Sequence, residues 1–252
     1  LSPASPRPTC GCDCGTLTTV AGSTPAGTAS SAGVATKWWA AKGADELAVI
    51  GTGNQSVPQV AAIHAVRPLR RVHYFGRDPG RKTMFVKRIR EQGFAFELID
   101  SPCPAAAAEG APIVTTITRA EKPFLNADML ATGAHVNAMG AIALSREELC
   151  QDVFARTSAM AADNPETVRK LSKEWNDWAA GGVGWDLLKR LSDVVATGSS
   201  PELGWDLTLF KSMGMGLSDL AVGAEVLRRA RSTGAGRPLE SIDKQPPRLR
   251  RS

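Results

Sequence analysis

A glycine-rich turn between a short apolar run and an amphipathic segment restricts the fold of this chain more than any other feature. The run Leu47-Ala-Val-Ile50 leads directly into Gly51-Thr-Gly-Asn-Gln-Ser56, and apolar residues then recur at helical spacing as far as Pro68. Gly51 permits a tight turn, and Gly53 lets the backbone approach a pyrophosphate, which the free N–H groups of the following helix can bind. This strand–turn–helix context predicts a dinucleotide-binding site.

The alternation of strands and helices continues beyond the turn. Further apolar runs predict strands at 72–75, 94–99, 113–117 and 135–139, with helical stretches between them. Alternation at this interval favours an α/β fold, a Rossmann-type doubly wound parallel sheet with helices on both faces. The later part of the chain is predicted to be more helical. Two apolar stripes there are predicted to pack into the core: Val168, Leu171, Trp175 and Trp178, and Leu217, Leu220, Ala221, Ala224 and Leu227.

Composition divides the chain into three segments. Gly, Pro, Ser and Thr make up 21 of the first 37 residues, and such a segment buries too little apolar surface to offset its ordering entropy. We therefore predict a disordered head at 1–37, a Rossmann dinucleotide-binding domain with C-terminal helices at 38–235, and a flexible basic tail at 236–252.

The positive net charge does not indicate nucleic-acid binding. Of the formal charge of +5, the tail from Arg237 contributes +3 and the head contributes +1, so residues 38–236 carry only +1. A nucleic-acid-binding domain needs a basic face on its folded part. No run approaches the roughly 18 apolar residues of a membrane span. Neither nucleic acid nor a membrane is therefore an expected partner.

The five cysteines bear on compartment and metal binding. An odd count without a recognisable secretion signal favours free thiols in a reducing cytoplasm. Cys10, Cys12 and Cys14 form a cluster, but paired zinc ligands are usually separated by about two to four residues and completed by a second pair or by histidines. No such completion follows, so no metal site is predicted.

The end of the second predicted strand bears on the choice of cofactor. NAD sites usually place Asp or Glu there, to accept a hydrogen bond from the ribose 2′-OH. That position falls on Gly76, and the adjacent Arg77 can pair with a 2′-phosphate. Asp78 is an alternative acid, displaced by two positions. The sequence therefore favours NADP as the cofactor, with NAD as the alternative.

Four motifs in order resemble the ornithine cyclodeaminase/μ-crystallin family between about residues 37 and 235. They are Leu47-Ala-Val-Ile-Gly-Thr-Gly-Asn-Gln55, Ile113-Val-Thr-Thr-Ile-Thr118, Gly133-Ala-His-Val-Asn-Ala-Met-Gly140 and Leu209-Phe-Lys-Ser-Met-Gly214. The resemblance implies an NAD(P)-dependent subunit with a Rossmann domain and a second domain that holds the substrate and the homodimer contacts. The family includes ornithine cyclodeaminase, certain alanine dehydrogenases and reductases of cyclic imino acids.

The resemblance also implies cofactor contacts beyond Gly51, Gly53 and Arg77. It places two residues at the pyrophosphate, two at the nicotinamide-side ribose, four in a shelf against the nicotinamide and one at its carboxamide. In that order they are Asn54 and Gln55, then Thr116 and Thr118, then Val136, Asn137, Ala138 and Met139, and finally Ser212.

The functional prediction depends on two departures from the family pattern. The first concerns proton transfer: Ile142 stands where cyclodeaminases carry a proton-transferring Asp, and Arg146 where they carry a Lys. This puts cyclodeamination of ornithine in doubt but leaves hydride transfer intact. We therefore predict an oxidoreductase that reduces a cyclic imino acid, such as Δ1-pyrroline-2-carboxylate, to its amino acid. No catalytic residue is assigned, because His135 is expected to be structural and Cys150 has no base in the pattern.

The segment before the turn is the second departure. Family members carry roughly a hundred residues there, whereas this chain has 46, and the substrate-binding Arg expected before Lys37 falls on Gly27. We expect a truncated or frame-altered substrate domain, of which only remnants persist, and this puts the family's homodimer in question here. Besides the reductase, an ornithine cyclodeaminase and a non-catalytic dinucleotide-binding protein therefore stay open.

Overall fold

The computed structural model describes residues 23–180, 182, 184–200 and 204–236. Within these residues the strands are β1 (Glu46–Ile50), β2 (Arg71–Phe75), β3 (Glu97–Asp100), β4 (Ile113–Thr116), β5 (His135–Ala138), β6 (Thr157–Ala162), β7 (Leu188–Arg190) and β8 (Leu207–Lys211). The α-helices are α1 (Ser23–Trp39), α2 (Ser56–Val66), α3 (Pro79–Glu91), α4 (Pro104–Ala108), α5 (Gln151–Arg156), α6 (Pro165–Leu171), α7 (Lys173–Trp178), α8 (Leu191–Thr197) and α9 (Gly216–Thr233).

The described strands form one parallel sheet in the order β3-β2-β1-β4-β5-β8-β6-β7. Among the first five strands, β2 and β3 lie on one side of β1. The chain then crosses to the other side of β1, where β4 and β5 follow. Ligands of such sheets bind at the carboxyl ends of the strands where the order reverses. The predicted Rossmann-type fold is confirmed, and its crevice lies between β1 and β4.

Helices cover both faces of the sheet. On one face, α2 and α3 pack on β1 and β2, while α1 and α8 pack on β5, β6 and β8. On the other face, α4, α5, α6 and α7 cover a single apolar cluster that runs from β1 to β7. None of the described helices is long and apolar enough to cross a membrane.

The later part of the chain is more helical, as predicted, but it also contributes the strands β6, β7 and β8, which were not predicted. The sequences of these three segments do not indicate strands. The six residues of β6 are small or unbranched, β7 has only three residues, and β8 ends in a lysine. Their strand conformation follows from neighbours in the sheet rather than from local propensity.

The prediction of disorder for the whole head is also wrong, since α1 begins at Ser23. Its small residues allow close packing: Ala29, Ala32 and Ala35 are fully buried, and a Cβ at Gly33 would lie 3.0 Å from the carbonyl oxygen of Ala62 in α2. Tertiary packing thus overrides the weak helical propensity of this composition. Residues 1–22, with Cys10, Cys12 and Cys14, and the tail from 237 lie outside the described residues.

The two predicted apolar stripes differ in how far they are buried. The first is divided between α6 and α7, and buries Val168 and Trp175. The prediction that Leu171 packs into the core is wrong, because it ends α6 with 41% of its surface exposed. The prediction that the second stripe packs into the core is wrong: Leu217 and Leu220 are each 68% exposed. The reason is that α9 approaches α1 along a different side, where Asp219 lies against Gly27.

Candidate functional site

The glycine turn after β1 is shaped by two close backbone approaches. Gly51 has a φ of +120°, and an ideal Cβ built on it would collide with the carbonyl oxygen of Ile117, which follows β4. The Gly51 N–H donates to the Phe75 carbonyl at 2.8 Å, which ties the turn to the end of β2. A residue with a side chain cannot take this conformation in this space. Gly51 therefore serves the fold of the crevice.

Gly53 differs from Gly51, because it faces open space. An ideal Cβ on it would have no other heavy atom within 4 Å. Ser56 occupies the position of the third glycine in the general dinucleotide-binding fingerprint and is fully buried; its hydroxyl donates to the Gly53 carbonyl at 2.6 Å. The turn is thus closed on its inner side and open above the N-terminus of α2. A pyrophosphate fits this cradle, since the helix end presents backbone N–H groups and the positive end of its dipole.

Asn54 and Gln55 complete the turn on its solvent side. Asn54 is exposed, and its Oδ1 accepts a hydrogen bond from Arg88 Nη1 of α3 at 2.9 Å. Gln55 is the residue before α2 and forms no side-chain cap. Arg88 thus brings a positive charge to the turn that sequence reasoning missed, because nothing in the spacing of 54 and 88 indicates their contact.

The residues after β2 form the part of the crevice expected to face the adenosine ribose. Gly76 is required there, because a Cβ on it would collide with Thr52 Oγ1. Arg77 is exposed and forms no ion pair with any residue that the structure describes. Asp78 is already engaged: it caps α3 by accepting from the Arg81 N–H at 3.1 Å. This capping role explains the acidic residue at position 78 without requiring that it contact a ribose.

A buried carboxylate joins the ends of β4 and β5. Glu148 is fully buried, and its Oε1 accepts from the N–H and the hydroxyl of Thr118 at 2.6 and 2.7 Å. Its Oε2 accepts from Thr116 Oγ1 and the Gly140 N–H, both at 2.9 Å. Burial raises the pKa of the Glu148 carboxyl, against the effect of the nearby Lys211 charge. The hydroxyls of both predicted threonines are thus bound to protein.

The predicted shelf lies inside the molecule. Val136, Asn137 and Ala138 are fully buried, and Met139 is 2% exposed. The Asn137 amide donates to Thr36 Oγ1 of α1 at 3.1 Å. The next residue along the chain, Gly140, is partly exposed. The four predicted shelf side chains are therefore enclosed by protein, and the accessible part of this strand end is at Gly140.

His135 is structural in its contacts. Its Nε2 lies 3.2 Å from Asn137 Oδ1, and its Nδ1 lies 2.9 Å from Thr208 Oγ1. Because an amide oxygen can only accept, Nε2 carries the proton and Nδ1 accepts from the Thr208 hydroxyl. Burial lowers the pKa of His135 to about 3. The imidazole is therefore neutral near pH 7 and enclosed, so it cannot protonate a substrate.

Another carboxylate organises the loop after β8. Asp163 follows β6, and it accepts from the hydroxyl of Ser212 at 2.7 Å and from the N–H groups of Met213 and Gly214 at 3.0 and 2.9 Å. Ser212 itself is fully buried. Its hydroxyl hydrogen is thus committed to Asp163, which leaves the oxygen as an acceptor.

A buried ion pair lies beside these loops. Lys211 Nζ donates to Glu174 Oε2 at 3.0 Å, and both side chains are fully buried. Glu174 Oε1 accepts from the backbone N–H groups of Glu148 and, at 2.7 Å, Leu149. These residues escaped sequence reasoning, because a charge at a strand end usually indicates solvent exposure.

The residues at the cyclodeaminase acid and lysine positions have no proton-transfer role here. Ile142 is 50% exposed, and Arg146 is held by the Arg119 carbonyl and, at 3.5 Å, by Glu121. Burial raises the pKa of the Cys150 thiol, which keeps it protonated near neutral pH. None of these side chains is arranged as a general acid or nucleophile.

Strand order brings the predicted residues to one edge of the sheet. The neighbours β2, β1, β4, β5 and β8 end at that edge, each followed by part of the predicted site. Backbone at the glycine turn and at Gly140, together with Asn54, Gln55, Arg77 and Thr118, is at least partly accessible. The other predicted side chains lie beneath this surface: Thr116, Val136, Asn137, Ala138, Met139 and Ser212.

Comparison with known proteins gives a consistent result. The model of the ornithine cyclodeaminase/mu-crystallin family matches residues 15–234. The match extends into the head, so the expected start of the resemblance at about residue 37 is wrong. An uncharacterized cyclodeaminase of Sinorhizobium fredii is 32% identical over 219 residues, which are 85% of this chain and 65% of that protein.

Two reductases are also similar. The Δ1-pyrroline-2-carboxylate reductase of Bacillus cereus is 28% identical over 84% of this chain and 66% of its own length. The crystal structure of the iminosuccinate reductase of Paracoccus denitrificans in complex with NAD⁺ superimposes with a TM-score of 0.75 at 26% identity, over 84% of this chain and 65% of that one. This chain therefore spans about two thirds of the length of these relatives.

Proposed function

The chain belongs to the ornithine cyclodeaminase/mu-crystallin family, and from this premise we propose that it binds a nicotinamide dinucleotide for hydride transfer to a cyclic imino acid. Δ1-Pyrroline-2-carboxylate is the substrate we put first, since a relative over 84% of this chain is a reductase of that compound. A second reductase relative, with iminosuccinate as substrate and NAD⁺ bound, supports the same chemistry.

The observation that carries the proposal is the pair of glycines after β1. Gly51 is fixed by its positive φ and by the Ile117 carbonyl, while Gly53 leaves an open cradle above α2. The cradle lies at the reversal of strand order between β1 and β4, where such sheets bind dinucleotides. When bound, the nicotinamide supplies the hydride, and the protein supplies orientation.

We extend the proposal to NADP as the preferred cofactor, with NAD as the alternative. Arg77 is exposed beside the crevice and free of ion pairs among the described residues, so its guanidinium can pair with a 2′-phosphate. Asp78, the competing acid, is engaged as the cap of α3. Arg88, held on Asn54, adds positive charge on the pyrophosphate side.

Hydride transfer is favoured over cyclodeamination by the residues at the edge of the sheet. Ile142 cannot move a proton, and His135 is enclosed with its pKa lowered by burial to about 3. The backbone ends of β4 and β5 are rigidly joined through Glu148, which suits a site whose main task is to orient two reactants. An ornithine cyclodeaminase is the second candidate, supported by the cyclodeaminase relative.

The test combines titration with turnover. Calorimetry with NADPH and NADH is expected to give binding, tighter for NADPH, and NADPH oxidation is expected with Δ1-pyrroline-2-carboxylate. Ornithine with NAD⁺ is the arm for the cyclodeaminase, whose product is proline and ammonia. Binding without either turnover would identify a non-catalytic dinucleotide-binding protein, and absence of all binding would refute the proposal.

Partners and compartment belong to the same proposal. The partner is a small amino or imino acid, and the reducing cytoplasm suits the free thiols Cys103 and Cys150. A homodimer is a further proposal, supported by the exposed leucines of α9, because large apolar groups on a surface often mark a contact. Sedimentation of the purified chain tests it.

A further inference from the structure

The buried carboxylate Glu148 connects two loops that the sheet alone leaves separate. Its two oxygens use all their acceptor positions, on Thr116 and Thr118 after β4 and on Gly140 after β5. Two of these donors are backbone N–H groups, which cannot rotate away or reverse. Glu148 therefore fixes the backbone path at both strand ends, not only the position of side chains.

The loops approach so closely that no side chain fits between them. A Cβ on Gly140 would collide with Glu148 Oε1 and with the backbone N and O of Thr118. Any shift of the Glu148 carboxylate thus moves the ends of β4 and β5 relative to each other. These are the two strand ends that border the nicotinamide side of the proposed site.

Glu148 is itself held in place from below. The ion-paired Glu174 accepts from the Glu148 backbone N–H, and its partner Lys211 belongs to β8. The ends of β4, β5 and β8 are therefore linked through two fully buried carboxylates and one buried lysine.

Stability alone is a weak reason for this arrangement. Burying an ion requires the loss of its hydration, which is strongly unfavourable, and apolar packing often stabilises a core as well as a buried ion pair does. Apolar side chains, however, cannot hold two backbone N–H groups in a set direction. Functional backbone must be held within about 0.5 Å of its working position, which is what a doubly bound carboxylate achieves.

We propose that Glu148 is a positioning residue, which sets the backbone at the ends of β4 and β5 for the nicotinamide end of the dinucleotide. The inference rests on the proposed function. It separates the site into two halves: the glycine turn, which binds the phosphates without help from Glu148, and the nicotinamide half, which depends on it.

The test compares two ligands in the substitution Glu148→Gln. Glutamine keeps the shape but replaces one acceptor oxygen by an NH₂ donor, which must then face the N–H of Thr118 or of Gly140. NADH probes both halves of the site, whereas ADP probes only the half at the glycine turn. The dissociation constant for NADH is expected to rise about tenfold or more, and that for ADP to stay within about twofold.

Glu147→Gln is the matched control, because it makes the same change at the adjacent residue. The Glu147 side chain pairs with Lys173, the first residue of α7, at 3.0 Å, whereas the hydrogen bonds to Thr116, Thr118 and Gly140 are those of Glu148. Both dissociation constants are expected to stay within about twofold of the original values. An equal loss in the control would overturn the inference, since the effect would then be one of charge alone.

Equal weakening of NADH and ADP by Glu148→Gln, or no weakening of either, would also overturn it. If the unmodified chain binds neither ligand, the proposed function fails first and the inference fails with it. Should the glutamine variant not fold, Thr116→Val removes one buried donor to Glu148 without changing shape. NADH must then weaken more than ADP-ribose, which retains both riboses; an unchanged ratio of the two affinities would overturn the inference.

Discussion

Valine at Gly53 is expected to destroy dinucleotide binding while the fold survives. A Cβ at this position has no other heavy atom within 4 Å, and Gly53 is not among the glycines with positive φ. The Cβ of the substituted residue therefore meets neither a collision nor a forbidden backbone conformation. It fills the open space above α2, which a pyrophosphate needs to reach the backbone N–H groups.

The magnitude follows from the hydrogen bonds that the displaced phosphates lose. Two charge-assisted hydrogen bonds to backbone N–H groups contribute about 1.5–3 kcal/mol each. Their loss raises the dissociation constant by roughly 10²- to 10⁴-fold. The free energy of unfolding should change by no more than about 1 kcal/mol, because replacing glycine at an unstrained position mainly restricts the unfolded chain.

Calorimetric titration with NADPH and NADH measures the loss, and urea unfolding followed by circular dichroism measures the fold. Gly43→Val is the matched control, because Gly43 also has open space around it and precedes β1. It should leave both cofactor affinities unchanged. A dissociation constant for Gly53→Val that stays within threefold of the original (about 0.7 kcal/mol) would refute the assignment of this turn as the phosphate cradle.

Three further substitutions test separate parts of the structure. Gly51→Ala should lower the free energy of unfolding by about 2–4 kcal/mol in urea titrations, because the φ of +120° and the Ile117 carbonyl both oppose a side chain; full stability would contradict the described turn. Arg77→Ala should weaken NADPH by about 1.5–3 kcal/mol in calorimetry and leave NADH nearly unchanged, whereas equal losses would exclude a 2′-phosphate contact. Burial lowers the pKa of His135 from 6.5 to about 3, so between these values the unfolded chain binds a proton that the folded chain does not. The free energy of unfolding is therefore highest above pH 6.5 and falls by about 1.4 kcal/mol per pH unit as the pH is lowered towards 3. Urea midpoints from pH 7 to 4.5 should fall more steeply for the unmodified chain than for His135→Gln, and parallel curves would contradict this.

Local signals explain why the crevice could be predicted from the sequence. The turn after β1 depends on residues next to each other in the chain, and Gly51 and Gly53 reveal it without knowledge of the rest of the fold. Alternating apolar runs likewise identified the first five strands, because each is bounded by turn residues. The crevice follows from these two observations and from the handedness of parallel connections.

Contacts between distant residues explain what the sequence did not reveal. Lys211 is 37 positions from Glu174, and its burial depends entirely on that partner. Glu148 lies 30 residues after Thr118 and 32 after Thr116, so its role becomes visible only when β4 and β5 lie side by side. The part of α1 before Ala35 escaped detection for the same reason, because its alanines gain stability only against α2 and the sheet.

The position of β8 between β5 and β6 sets a condition on how the chain is synthesised. Strands β6 and β7 emerge from the ribosome before β8, yet β6 pairs with β8 and not with β5. Until residue 211 is available, the nascent chain therefore holds two incomplete sheets, each with an unpaired parallel edge. Such edges recruit other chains. When β8 pairs with β5 and β6, both of these edges are covered together. Pausing of the ribosome shortly before this strand would therefore prolong the aggregation-prone state more than pausing after it.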